Sequence, residues 1–104
     1  MKVMISQPMA GKTTEQIRAE RQIIVDGLKK LGHEVVDTIF TSEPPSTSNK
    51  ALWCLGGALR LMSYCDAVLF MKGWDTARGC RIEHAAALEY DLQLWTESDL
   101  YPSY

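Results

Sequence analysis

Residues 2–17 read KVMISQPMAGKTTEQI, and the fold follows from how this stretch divides. The apolar run at residues 2–5 ends in a turn rich in Ser, Pro and Gly, which suits a short buried strand. Thr13, with Gln16 three residues on, has the spacing of a capping box, so a helix is expected to open there. Ile17, Ile24, Leu28 and Leu31 keep one helical face as far as Gly32, a C-terminal stop. The unit is strand, loop, helix.

Working outward, HEVVDTIF (33–40) supplies a second strand around Val35, Val36 and Ile39, and TSEPPSTSN (41–49) is a loop by composition. A second helix carries the stripe Leu52, Leu55, Leu59 and Met62, interrupted by Gly56 and Gly57. That pair costs about 1 kcal/mol per glycine relative to Ala, so a steric reason is expected, such as close approach to a neighbouring helix or a ligand. DAVLFM (66–71), the most apolar run, reads as a central strand. KGWDTAR (72–78) is the next loop, GCRIEHAAALEY (79–90) the third helix and LQLW (92–95) a last short strand, while SDLYPSY (98–104) shows no evident element.

Strands alternating with helices imply an α/β Rossmann-like, flavodoxin-like three-layer sandwich: four parallel strands in the order 2-1-3-4, joined by right-handed crossovers, with helices on both faces. At 104 residues it is a single domain. Ligands of such sheets bind at the carboxyl ends of the strands where the order reverses, here between strands 1 and 3. The loops that meet there are SQPMAGK (6–12) and KGWDTARG (72–79).

The first loop contains the Gly-Lys-Thr of a triphosphate-binding loop. The full pattern needs a glycine five residues before Gly11, to let the backbone wrap the phosphates, and Ser6 stands there. Pro8 also removes one amide. What remains is a loop that leaves a strand and opens a helix, a position suited to an anion, with Lys12 either adding a point charge or solvated.

On the third helix Glu83 tilts back over Gly79 and Cys80, which leaves its carboxylate open toward the end of the third strand and near a helix N-terminus expected to keep it ionised. Such a group can attack or shield a developing oxocarbenium centre at C1 of a sugar. The plainer reading is an exposed helical glutamate, or one paired with Arg78 or Arg81; of the two, Arg78 is better placed as the crevice cation.

An apolar share of 46% and a net charge of −2 are ordinary for a globular protein, and no basic stripe exists to track a nucleic acid. Cys54, Cys65 and Cys80 are odd in number and lack C-x-x-C spacing, as expected of reduced thiols in a cytoplasmic protein. No run approaches the ~18 residues of a membrane span. No membrane partner is expected.

GWDTARGCRIEHAAA (73–87), with Gly73, Trp74, Arg78, Gly79, Arg81, Glu83, His84 and Ala87, together with ISQPMAGK (5–12), resembles the small DUF4406 proteins of phages and bacteria, relatives of the nucleoside 2-deoxyribosyltransferase superfamily. The resemblance covers nearly the whole chain. The superfamily includes deoxyribosyltransferases and 2'-deoxynucleoside 5'-monophosphate N-glycosidases, so the resemblance implies a pocket for a (deoxy)nucleoside or nucleoside 5'-monophosphate whose N-glycosidic bond is hydrolysed or transferred, in the cytoplasm of a bacterial host, with no cofactor. Glu83 would be the nucleophile toward the sugar, and Ser6, Gln7, Met9, Gly11 and Lys12 would contact the ligand. Two positions depart from the pattern of catalytic members. An aspartate expected eight residues before Asp66 is Ala58, and a Ser or Asp expected six before Glu83 is Ala77. Asp75 or Thr76 could substitute from the same loop, and a non-catalytic nucleotide binder is the alternative.

Trp74 could stack on a base or pack over the sheet edge. His84 lies four residues from Cys80, a spacing that allows two metal ligands, but no third presents itself and no metal is expected. A homo-oligomer is expected, since a four-stranded sheet of this size buries limited apolar surface. In some relatives the C-terminal end completes a neighbouring subunit's site, and this chain too ends in tyrosine, Tyr104.

Overall fold

The computed structural model describes residues 1–36, 46 and 49–100. Ile39, most of the 41–49 loop and Tyr104 lie outside the described residues. The elements run β1 (Lys2–Ser6), α1 (Thr14–Lys30), β2 (Glu34–Val36), α2 (Lys50–Met62), β3 (Ala67–Phe70), a short 3-10 turn (Trp74–Thr76), α3 (Arg78–Glu89), β4 (Gln93–Thr96) and a second 3-10 turn (Glu97–Leu100). All four strands are parallel, in the order β2-β1-β3-β4. The expected α/β sandwich is the one formed.

The two-residue period of the strands divides the core. Val3, Ile5, Ala67, Leu69 and Met71 point to one face, where Ile24 and Leu28 of α1 and Leu100 cover them. Met4, Val68 and Phe70 point to the other, under Met62 of α2 and Ala87 of α3. Because β1 and β3 are buried on both faces, they read as continuous apolar runs rather than alternating ones.

The capping box forms as the spacing requires: the Thr13 hydroxyl accepts from the Gln16 N–H at 3.2 Å, and Gln16 Oε1 accepts from the Thr13 N–H at 2.9 Å. At the other end of α1 the His33 N–H returns to the Leu28 carbonyl and the Gly32 N–H to Lys29, the double bond of a Schellman stop. Gly32 has a φ of +88°, which glycine adopts without strain.

Three expectations need adjusting. The third helix begins at Arg78, one residue early, with Ala77 as its N-cap. The last strand runs one residue further, to Thr96. The segment after it is not irregular throughout: Asp99 Oδ2 accepts the Thr96 N–H at 2.7 Å, and the resulting turn delivers Leu100 against Gly27 of α1, where a Cβ would come within 3.3 Å of Leu100 Cδ1. The short, polar Ser98-Asp99 pair concealed a buried anchor.

Gly56 is exposed, and a Cβ placed there would meet nothing within 4 Å. The steric reason expected for it is not found within the described chain.

Candidate functional site

β1 and β3 are paired up to Ser6 and Phe70, and beyond them the chain leaves in opposite directions, into α1 and into the loop before α3. Ser6, Gln7 and Arg21 are the buried polar side chains among the described residues, and two of the three are the last residue of β1 and its successor. Burying such groups costs about 1–3 kcal/mol each where a hydrogen bond is missing. Gln7 Nε2 donates to the Ile17 carbonyl at 2.8 Å, which fixes its amide, while Gln7 Oε1 accepts nothing. Ser6 Oγ also lacks a well-aligned hydrogen bond.

Ser6 continues the alternation of Met4 and so faces α3, where its hydroxyl acts on both Glu83 and Cys80. Glu83 lies in the second turn of α3 and is half-buried. Burial pushes its carboxyl from 4.5 up to about 7, against the opposing pull of the Ser6 hydroxyl and the Arg21 guanidinium. The expectation that the helix N-terminus keeps this group fully ionised is therefore corrected, because desolvation outweighs it. Near neutral pH both protonation states are populated, the condition in which a carboxyl can serve as nucleophile, base or acid. Burial likewise raises the Cys80 thiol, with Glu83 adding to the effect, so Cys80 stays neutral.

The surroundings are open where the sequence argument placed an opening. A Cβ added at Gly79 would meet no atom within 4 Å. Ala77 offers no side-chain cap to α3, and the first helical hydrogen bond at that end is the Arg81 N–H to the Ala77 carbonyl at 2.9 Å.

The other predicted contacts are placed as follows. Met9 and Gly11 are exposed on the loop after β1, and Gly11 takes a φ of +77°. Lys12 Nζ is held by Glu20 Oε2 of α1 at 2.7 Å, so its charge already has a partner. Trp74 lies flat on His84, with ring centroids 4.1 Å apart and planes 8° apart, and both rings contact Phe70. Trp74 therefore packs at the end of β3, with His84 as its stacking partner. Asp75 and Arg78 are exposed. Trp74 and Asp75 also line an open depression of about 420 Å³ with Phe70, Lys72, Thr96 and Glu97, a hollow whose wall does not include Glu83. We place the candidate site at Glu83, because the buried polar groups and the shifted carboxyl are there. Among the described residues no three His, Cys, Asp or Glu side chains gather in a metal-like group.

Sequence reasoning passed over Arg21. Its signal was present: residues 17, 21, 24 and 28 form one face of α1, and a cation at the second of these positions interrupts an apolar stripe. Arg21 is only 5% exposed. Its guanidinium acts on Glu83, pulling that carboxyl down against the effect of burial.

A search of curated proteins found no match. The family described as "Domain of unknown function (DUF4406)" matches over residues 1–96, which takes in every strand, all three helices and both loops of the crevice. The chain belongs to the DUF4406 family.

Proposed function

We propose that this protein acts on the N-glycosidic bond of a nucleoside or nucleoside 5'-monophosphate, with Glu83 as the nucleophile. The observation that carries the reading is the half-buried Glu83 carboxyl, poised at about 7 beside the buried Ser6 hydroxyl and beneath the open space over Gly79. In its ionised form the carboxylate attacks C1' as the bond from C1' to the base nitrogen breaks. The base leaves with that electron pair and takes a proton from solvent. Water then cleaves the glycosyl ester at C1', giving its oxygen to the sugar and returning the carboxylate and one proton; an acceptor base in place of water makes the same step a transfer.

The test is base release. The protein is incubated with a panel of nucleosides and 5'-monophosphates, and free base is followed by chromatography for wild type and Glu83→Gln. Release that disappears in the variant supports the reading, and no release from any member of the panel overturns it.

A second reading, a binder that does not cleave, is favoured by Ala58 and Ala77, which put methyl groups where the resemblance implies an Asp and a Ser or Asp in catalytic members. Its signature is nucleotide binding without base release, at equal strength in Glu83→Gln. Association of copies is part of the proposal as well, to be checked by sedimentation: the chain leaves the large apolar side chains Ile82, Leu88 and Tyr90 exposed.

A further inference from the structure

The outward face of α3 is complementary to itself when turned end for end. On a helix that turns about 100° per residue, Arg78, Arg81, Ile82, Leu88 and Glu89 all fall within about 60° of Ala85, and each of them is exposed, as Ala85 is. Ile82 and Leu88 are 41% and 57% exposed, large apolar groups on a face that solvent would normally make polar. These two stand at equal distances on either side of Ala85, and one residue beyond them stand a cation, Arg81, and an anion, Glu89. Among the described residues neither charge has an ion pair within the chain.

That pattern says what covers the face. A second α3 laid antiparallel about a two-fold axis through Ala85 sets Ile82 of each copy on Leu88 of the other, and Arg81 of each on Glu89 of the other. Ala85 meets its own counterpart at the crossing, where a small side chain lets the helix axes approach to the usual separation of about 8–10 Å. The opposite charges lie roughly 6 Å along the axis from that point, at the rim, with the apolar pairs inside them. A parallel pairing in the same position would set Arg81 on Arg81. An unrelated protein would have to carry the same pattern reversed, whereas a second copy carries it by symmetry, as an isologous contact requires.

We propose that α3 pairs antiparallel with α3 of a second copy across a two-fold axis at Ala85, with Ile82 and Leu88 forming the centre of the contact and Arg81 and Glu89 fixing its register. The proposal rests on the association of copies put forward above and names its surface. Glu83 follows Ala85 at about 160° around the helix, so the contact is made on the side of α3 away from the carboxyl. One helix per copy is a small contact beside the ~1,200–2,000 Å² of a standard interface, so the dimer is expected to dissociate on dilution.

The experiment is sedimentation equilibrium of the full chain over a range of concentrations, for wild type, Arg81→Glu, Glu89→Arg, the double exchange Arg81→Glu/Glu89→Arg, and Ala85→Arg. Each single reversal sets like charges together at both symmetric positions and is expected to weaken dimerisation by roughly tenfold or more, and the double exchange to restore most of the loss. Ala85→Arg wedges the crossing and is expected to leave a monomer with an unchanged circular dichroism spectrum. Should that variant fail to fold, the charge exchange decides. A wild type that is monomeric at every concentration overturns this proposal together with the association of copies. An oligomer indifferent to Ala85→Arg and to the single reversals leaves the association standing and overturns the contact through α3. Weakening by the single reversals with no recovery in the double exchange removes the two-fold register and with it the proposal.

Discussion

The two ends of the sheet are built from similar residues to opposite effect. At the amino end the Lys2 N–H donates to Asp66 Oδ2 at 2.8 Å, the N-terminal amine meets His33 Nδ1 at 3.3 Å, and Lys2 Nζ stands 4.0 Å from Glu34. All of these groups are near solvent and have partners. At the carboxyl end Ser6 and Gln7 are buried with an atom unmet, and Glu83 is desolvated until its carboxyl titrates near neutrality. One carboxylate, Asp66, closes the entry of β3; the other, Glu83, is held in a setting that works against its charge. The contrast marks where to look for function: at one end the polar groups are paired, and at the other buried polar atoms and a desolvated carboxyl lie together.

The comparison breaks most readily at Glu83. Glu83→Gln is expected to lower base release by about a thousandfold or more, the scale of losing a nucleophile, with the circular dichroism spectrum unchanged. A release rate that survives would remove the chemical meaning of the carboxyl end.

Stability gives the next largest effect, and its sign follows from the direction of the shift. The folded-state value of Glu83, about 7, lies above its unfolded value near 4.5. The unfolded chain therefore gives up this proton first as pH rises, and the stability present below 4.5 is lost between there and about 7. Glu83→Gln should match wild type in urea melts at pH 4 and exceed it at pH 8 by about 1–3 kcal/mol. An equal difference at the two pH values would show that the carboxyl is not desolvated. Arg21→Met sharpens the same point, since loss of the cation should raise the Glu83 midpoint further, read by carbon-detected titration of the side chain.

Smaller effects belong to the amino end. Asp66→Ala removes the acceptor of the Lys2 N–H and should cost about 1 kcal/mol without changing base release. Lys2→Gln should cost less than about 0.5 kcal/mol, since its ion pair with Glu34 is long and more than half exposed on both sides. A large loss of base release in either variant would mean that the two ends are not separate.

Much of the fold was legible because its signals are local. The Thr13–Gln16 box, the apolar stripe of α1 and the doubly buried runs of β1 and β3 each lie within a few residues, and strand order follows from connection rules. The site was legible in part. Glu83 over Gly79 could be placed by helix geometry, whereas the Trp74–His84 stack and the Lys12–Glu20 pair join residues whose spacing fits several arrangements. Arg21 was visible as a flaw in a stripe, but its relation to Glu83 crosses from one helix layer to the other around the end of β1. No periodicity reports a meeting of that kind.

The elements, the parallel sheet, the crevice between β1 and β3 and the candidacy of Glu83 could be read from the residues alone, since each of these rests on short-range pattern and on chain connectivity. It took the folded chain to show that the Glu83 carboxyl is raised to about 7, that Lys12 pairs with Glu20 and Trp74 stacks on His84, and that Ser6 and Gln7 are buried. Desolvation is the reason for the division: it is a property of everything packed around a group, and neighbours brought from distant parts of the chain set it.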